Sequence, residues 1–139
     1  MAIGDRRKLT GFIEATGKDF ETFGSDEFLR PTRRDIFEVF TVGDDERPIP
    51  CEPFRWGGEC RIEVHLNYIA NDNGTVQVHG FTSFFEGTSE DTPDERDREI
   101  LNFLVPKGEH PTVVGAHMQS GDDLGDIRIS LNNDIIEEE

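Results

Sequence analysis

Carboxylates are the chemistry this sequence offers most freely: 30 of its 139 residues are Asp or Glu. They gather in three runs, Asp44-Asp45-Glu46, then Glu90-Asp91 with Asp94-Glu95 and Asp97, then Asp122-Asp123 with Asp126 close behind. Carboxylates held within about 4–6 Å of one another raise each other's pKa unless something compensates. Ca2+ is a natural partner, because it accepts about 6–8 oxygens in irregular loop geometry, whereas Mg2+ demands a near-ideal octahedron. The expected cofactor is therefore Ca2+. Its expected ligands are Asp91, Asp94, Asp122, Asp123 and Asp126, with Asp44 and Asp45 behind them. The opposing reading is a solvated acidic surface, partly neutralised by Arg47, Arg55, Arg96 and Arg98.

Other chemistry is sparser. Glu63, His65 and His79 fall on one face of an expected pair of strands, and two His with a carboxylate can hold Fe2+ or Zn2+. Ordinary strand histidines are the plainer account, and His117 joins the set only if its strand is adjacent. Cys51 and Cys60 bracket a short loop; reduced thiols are expected, with a disulfide or a shared metal as the rarer outcomes. The chain contains no Gly-x-Ser-x-Gly elbow, no phosphate-cradling glycine loop and no His-Glu-x-x-His. No catalytic residue is assigned, and an enzyme is the minority reading.

The elements that must position these groups are strands. Period-two alternation dominates, and no segment keeps apolar residues at helical spacing over three turns. Seven strands are expected: Leu9–Ala15, Ile36–Val42, Arg61–Ala70, Thr75–Glu86, Ile100–Val105, Thr112–Gln119 and Asp126–Asn132. Register is testable in the third and fourth. A two-residue Asn73-Gly74 turn would mix apolar and polar faces. A three-residue Asp72-Asn73-Gly74 loop sets Ala70 against Val76, Tyr68 against Val78 and Ile62 against Phe84. The same register turns Phe81 and Phe85 outward with His65, so they need cover. That cover is expected from the Phe-rich stretch Gly17–Arg34, from another sheet or from a partner chain; the stretch is read as folding over an open end or edge of a sheet, with one helical turn stopped before Pro31.

Short strands separated by turn signals, without helical crossovers, predict an all-β, antiparallel β-sandwich of about seven or eight strands, with a closed barrel or jelly roll as the alternative. Residues 1–139 are read as a single sandwich domain, with 137–139 a frayed acidic tail. If each strand crosses the domain once, successive loops emerge at alternate ends. Gly43–Glu59, Gly87–Glu99 and Ser120–Gly125 then share one end, and the three acidic runs converge there.

Charge bounds the partners. A formal charge of −16 opposes the counterion release on which nucleic-acid binding depends, and it repels anionic membrane surfaces. No apolar run reaches the length of a membrane span, and the basic N-terminus has no apolar stretch behind it, so a soluble, cytoplasmic chain is the default expectation. Together these features predict a non-catalytic β-sandwich that binds a protein or glycan partner, with a Ca2+ site of acidic loops at one pole. A structural subunit of a homo-oligomer is the second reading. A metal-dependent enzyme built on Glu63, His65 and His79 is the third.

Overall fold

Alternating apolar residues become nine strands and no helix in the computed structural model of the chain, which describes residues 4–108 and 110–136. These are β1 (Arg6–Asp19), β2 (Glu27–Thr41), β3 (Arg47–Ile49), β4 (Phe54–Trp56), β5 (Cys60–Ala70), β6 (Val76–Glu86), β7 (Glu95–Val105), β8 (Thr112–Ser120) and β9 (Asp123–Ile135). One sheet runs β2-β1-β9-β8; the other runs β3-β5-β6-β7, with β4 also on β5. All pairings are antiparallel. The result is a two-sheet sandwich rather than a closed barrel. Among the described residues no helix is long and apolar enough to cross a membrane. The tail 137–139, expected to fray, lies outside the described residues.

The core is where the two inner faces meet. Leu9 and Ile13 of β1 with Ile127, Ile129 and Leu131 of β9 oppose Ile62, Leu66 and Tyr68 of β5 with Val76, Val78 and Phe84 of β6. All are essentially sealed from water. Burying side chains of this size contributes about 1.5–3 kcal/mol each before entropy is charged against it. Trp56 stacks on Phe84 with ring centres 5.8 Å apart. Its ring also fills the space over Gly17, where a Cβ would come within 2.4 Å of it.

The β5–β6 hairpin has the expected register, pairing Ala70 with Val76, Tyr68 with Val78 and Ile62 with Phe84. Phe81 and Phe85 do face outward, but their cover is local. Arg98 lies over Phe81 at 4.0 Å and Arg61 over Phe85 at 4.1 Å, with His65 beside Phe81.

The stretch 17–34 is not a cover and holds no helical turn. It is the far half of a long hairpin in the other sheet, where β1 and β2 stay paired out to Asp19 and Glu27. Pro31 is accommodated because the pairing skips there, between Thr32 and Leu29, on an edge strand whose outer side asks for no ladder bond. The polar, Phe-dotted pattern of this stretch belongs to strands that project past the core.

The strand count also differs. β3 and β4, hidden among Pro48, Pro50 and Pro53, both run antiparallel to β5 and together make one interrupted crossing. That extra crossing splits the 43–59 loop between the two ends. The segment with Asp44, Asp45 and Glu46 lies beside the β5–β6 and β7–β8 turns. The Gly57–Glu59 turn lies at the opposite end, with the β1–β2, β6–β7 and β8–β9 turns. Asp44 and Asp45 therefore do not converge with Asp91, Asp94, Asp122, Asp123 and Asp126.

Candidate functional site

The two ends of the sandwich are closed in opposite ways. At one, Asn133 of β9 is fully buried and fully engaged. Its Nδ2 donates to the carbonyls of Gly74 (2.9 Å) and Val105 (3.2 Å), and its Oδ1 accepts from Arg7 Nε at 2.8 Å. Arg7 Nη2 donates in turn to the Asn133 carbonyl. A buried polar network of this kind is stable because its members satisfy one another. A cleft of about 750 Å³ opens at this end, lined by Lys8, Phe37 and Ile135 among others. The Arg7 and Asn133 groups in its wall are committed to each other.

At the other end carboxylates accumulate without such satisfaction. Asp19 closes β1 and is 1% exposed. Glu21 follows in the β1–β2 turn, and Glu59 comes from the β4–β5 turn. One carboxylate oxygen from each of the three lies within 4.8 Å of the others. The buried Oδ2 of Asp19 has no hydrogen-bond partner. Gly57, in the left-handed region at φ +67°, lets the neighbouring turn pass close: a Cβ there would stand 2.6 Å from that oxygen. Burial first, then the charges of Asp123, Glu59, Glu21 and Glu27, push the Asp19 carboxyl up to about 7.

Two further carboxylates border the three. Asp123, at the start of β9, is buried and accepts the Phe20 N–H at 2.7 Å, which ties the β1–β2 turn to β9. Glu86, at the end of β6, is held above the usual carboxylate range by burial and by the adjoining Asp123. Among the nearby cations Arg96 stands beside Glu86, donating to its carbonyl, and others are spent elsewhere. Arg55 bonds the Glu90 carbonyl and Asp91, Arg61 bonds Glu63 and the Glu90 carbonyl, Arg98 pairs with Glu95 and Lys18 with Asp26.

Of the carboxylates expected to hold a metal, only Asp123 borders this group. Asp91 is ion-paired to Arg55, and Asp126, on the outer face of its sheet, bonds His117 Nδ1 at 2.6 Å. Asp94 accepts the Glu86 N–H through its carbonyl, and Asp122 is exposed in the short β8–β9 turn. At the far end Asp44 Oδ2 accepts the Thr41 N–H at 2.9 Å, and Asp45 is exposed. Asp19, Glu21 and Glu59 are isolated acids in sequence, so runs of Asp and Glu do not reveal them. The signal available was Gly57-Gly58 beside Glu59, a pair suited to a tight turn.

His65, His79 and Glu63 do share an outer face, but their ring nitrogens diverge. His65 Nε2 bonds Glu63 Oε1 at 2.8 Å, whereas His79 Nε2 is engaged by Glu46. Glu63 is bound as well by Arg61 Nε at 2.7 Å. His117 lies on the other sheet. Both cysteines are free, Cys60 buried and Cys51 half-buried. Burial pushes the Cys51 thiol up to about 11 and raises that of Cys60 as well, so neither is a thiolate nucleophile at neutral pH.

Above the carboxylates the β1–β2 hairpin projects an aromatic tip. Phe23 is 93% exposed, with Phe28 63% and Phe20 43% exposed beside it. Glu21, Asp26 and Glu27 belong to the same end of the hairpin, where Lys18 lies over the Phe20 ring and pairs with Asp26. An apolar group rimmed by polar residues and left in water is the surface signature of an interaction site. Comparison with protein-family models, curated proteins and solved structures finds no match for this chain.

Proposed function

We propose that this β-sandwich is a non-catalytic interaction module that docks a partner polypeptide on the tip of the β1–β2 hairpin. The partner segment is apolar at its centre and flanked by Lys or Arg. The observation that carries this reading is Phe23, almost wholly in water, with Phe20 and Phe28 at its sides. Aromatic rings are the side chains that most often anchor interfaces, because one rigid group buries a large area at small entropic cost. The rim selects the sign of the partner. Glu21, Asp26 and Glu27 stand on a chain of net charge −16, so a basic flank gains attraction and faster encounter. A second copy brings the same carboxylates to the same place and is disfavoured there.

Homo-oligomer assembly has a different surface in its favour. Ile100 is 71% exposed on the outer face of β7, with Leu104 beyond it on the same face. Sedimentation of the intact chain separates that reading, which requires a mass that rises with concentration and falls in Ile100→Asp.

The docking reading is tested with a synthetic peptide of alternating Lys and Leu, its Glu–Leu counterpart serving as control. The Lys–Leu peptide should bind saturably and shift amide resonances of residues 20–28. A Phe23→Ser, Phe28→Ser double variant should bind about tenfold more weakly, a loss of about 1.4 kcal/mol. Binding that survives the double variant undiminished would reduce the attraction to bulk charge and remove the hairpin tip as a site.

A further inference from the structure

We propose that Asp19, Glu21 and Glu59 form a divalent-cation site, with Ca2+ as the ion its geometry fits best, at the root of the aromatic hairpin. A group of acids alone would not carry this, since acids are plentiful here. The independent observation is the Asp19 carboxylate, 1% exposed with Oδ2 lacking any hydrogen-bond partner. A buried acceptor left unpaired forfeits its hydration with nothing in return, the more so when charged, and native folds rarely tolerate it without a purpose. Here the orphan belongs to the carboxylate around which two others gather within 4.8 Å. An ion between them would give the Asp19 carboxylate a partner and cancel the mutual repulsion in a single step.

Tolerance of irregular geometry chooses the ion. Ca2+ takes oxygens at about 2.3–2.6 Å in flexible arrangements, whereas Mg2+ demands a near-ideal octahedron at about 2.0–2.1 Å. Three carboxylate oxygens within 4.8 Å of one another are close enough to converge on one ion with small side-chain shifts. The ligands come from three chain positions on two sheets, a design that suits the irregular geometry Ca2+ accepts. Their oxygen-only chemistry is that of a hard cation rather than Zn2+ or Cu2+. Water would complete the coordination, and Asp123, tied to the Phe20 N–H, stands directly behind. Because Glu21 lies within the β1–β2 turn, a bound ion would also pin the turn that presents Phe23. The site does not depend on the docking reading.

The test is calorimetric titration of the full chain with CaCl2 and MgCl2 at fixed ionic strength. Trp56, the chain's one tryptophan, gives a second readout, since it precedes Gly57, which touches Asp19. One saturable Ca2+ site per chain is expected, tighter than Mg2+ and accompanied by a change in Trp56 fluorescence. Glu21→Gln and Asp19→Asn should each weaken it by about tenfold or more, while Asp91→Asn and Asp122→Asn leave it intact. Asp19→Asn also relieves repulsion in the ion-free protein, so its melting temperature without calcium should hold or rise, which excludes misfolding as the cause of lost binding. Phe23→Ser should bind Ca2+ normally, so failure of docking and failure of the cation site can be told apart. Absence of saturable heat in the native chain, or unchanged affinity in Asp19→Asn and Glu21→Gln, would overturn the proposal.

Discussion

Asp19 shows how position, rather than residue type, makes a carboxylate consequential. The same side chain in the Glu90-Asp91 turn would be solvated or paired with arginine, as Asp91 is. At the end of β1 it is buried against Gly57 and faces Glu21, Glu59 and Asp123. Its native carboxyl stands at about 7 against 3.8 for the ordinary group, so between those values the folded chain holds a proton that the unfolded chain has released. That stabilisation is complete below about 3.8 and gone once pH rises past about 7. With chelator present, the unfolding midpoint in urea should therefore fall between about pH 4 and pH 7. Asp19→Asn should flatten that slope, and equal slopes in both proteins would place the titrating group elsewhere. Asp19, Glu21 and Glu59 were illegible in sequence because none belongs to a run of acids; they meet only after two separate turns are brought to the same end.

At the scale of elements, local pattern was enough wherever pairing was local. The β5–β6 register followed from one requirement, that apolar residues on both strands face the core together, and the pairing of Tyr68 with Val78 satisfies it. Long-range edges were harder. β3 and β4 are three residues each and are punctuated by prolines, and they exist as strands because β5 offers them an edge. Cooperation between distant elements is most direct at Asn133, whose side chain joins β9 to the β5–β6 turn, to the end of β7 and to Arg7 of β1. Asn133→Leu keeps the volume and removes the three side-chain bonds, stranding the Gly74 and Val105 carbonyls and Arg7 Nε, while Arg7 Nη2 keeps the carbonyl of residue 133. Each group so stranded costs about 1–3 kcal/mol. Urea unfolding should show a loss of at least that size, and a near-native midpoint would mean that water replaces the amide.

The molecule as a whole carries far more negative charge than its arginines can answer. Those arginines are used locally, over Phe12, Phe81 and Phe85 and in pairs with Glu14, Glu63, Asp91 and Glu95. The excess at the carboxylate end is left to repel itself. Raising NaCl from about 0.1 M to about 1 M shortens the screening length from about 10 Å to about 3 Å. The melting temperature should rise by several degrees over that range. Calcium, if it fills the site, should act at far lower concentration than its ionic strength explains. A salt-independent melt would show that the local pairs already neutralise the surface.

By itself the sequence determined that this chain is an antiparallel β-sandwich, how β5 meets β6, and that acid dominates its surface. Those properties depend on alternation and composition, which act between neighbours along the chain or on its sum. Tertiary structure decided which acids meet, because a single unrecognised crossing moves a loop to the other end of the molecule. It sent Asp44 and Asp45 away, gathered Asp19, Glu21 and Glu59 in their place, and carried Phe20, Phe23 and Phe28 out into water on a hairpin longer than the core beneath it.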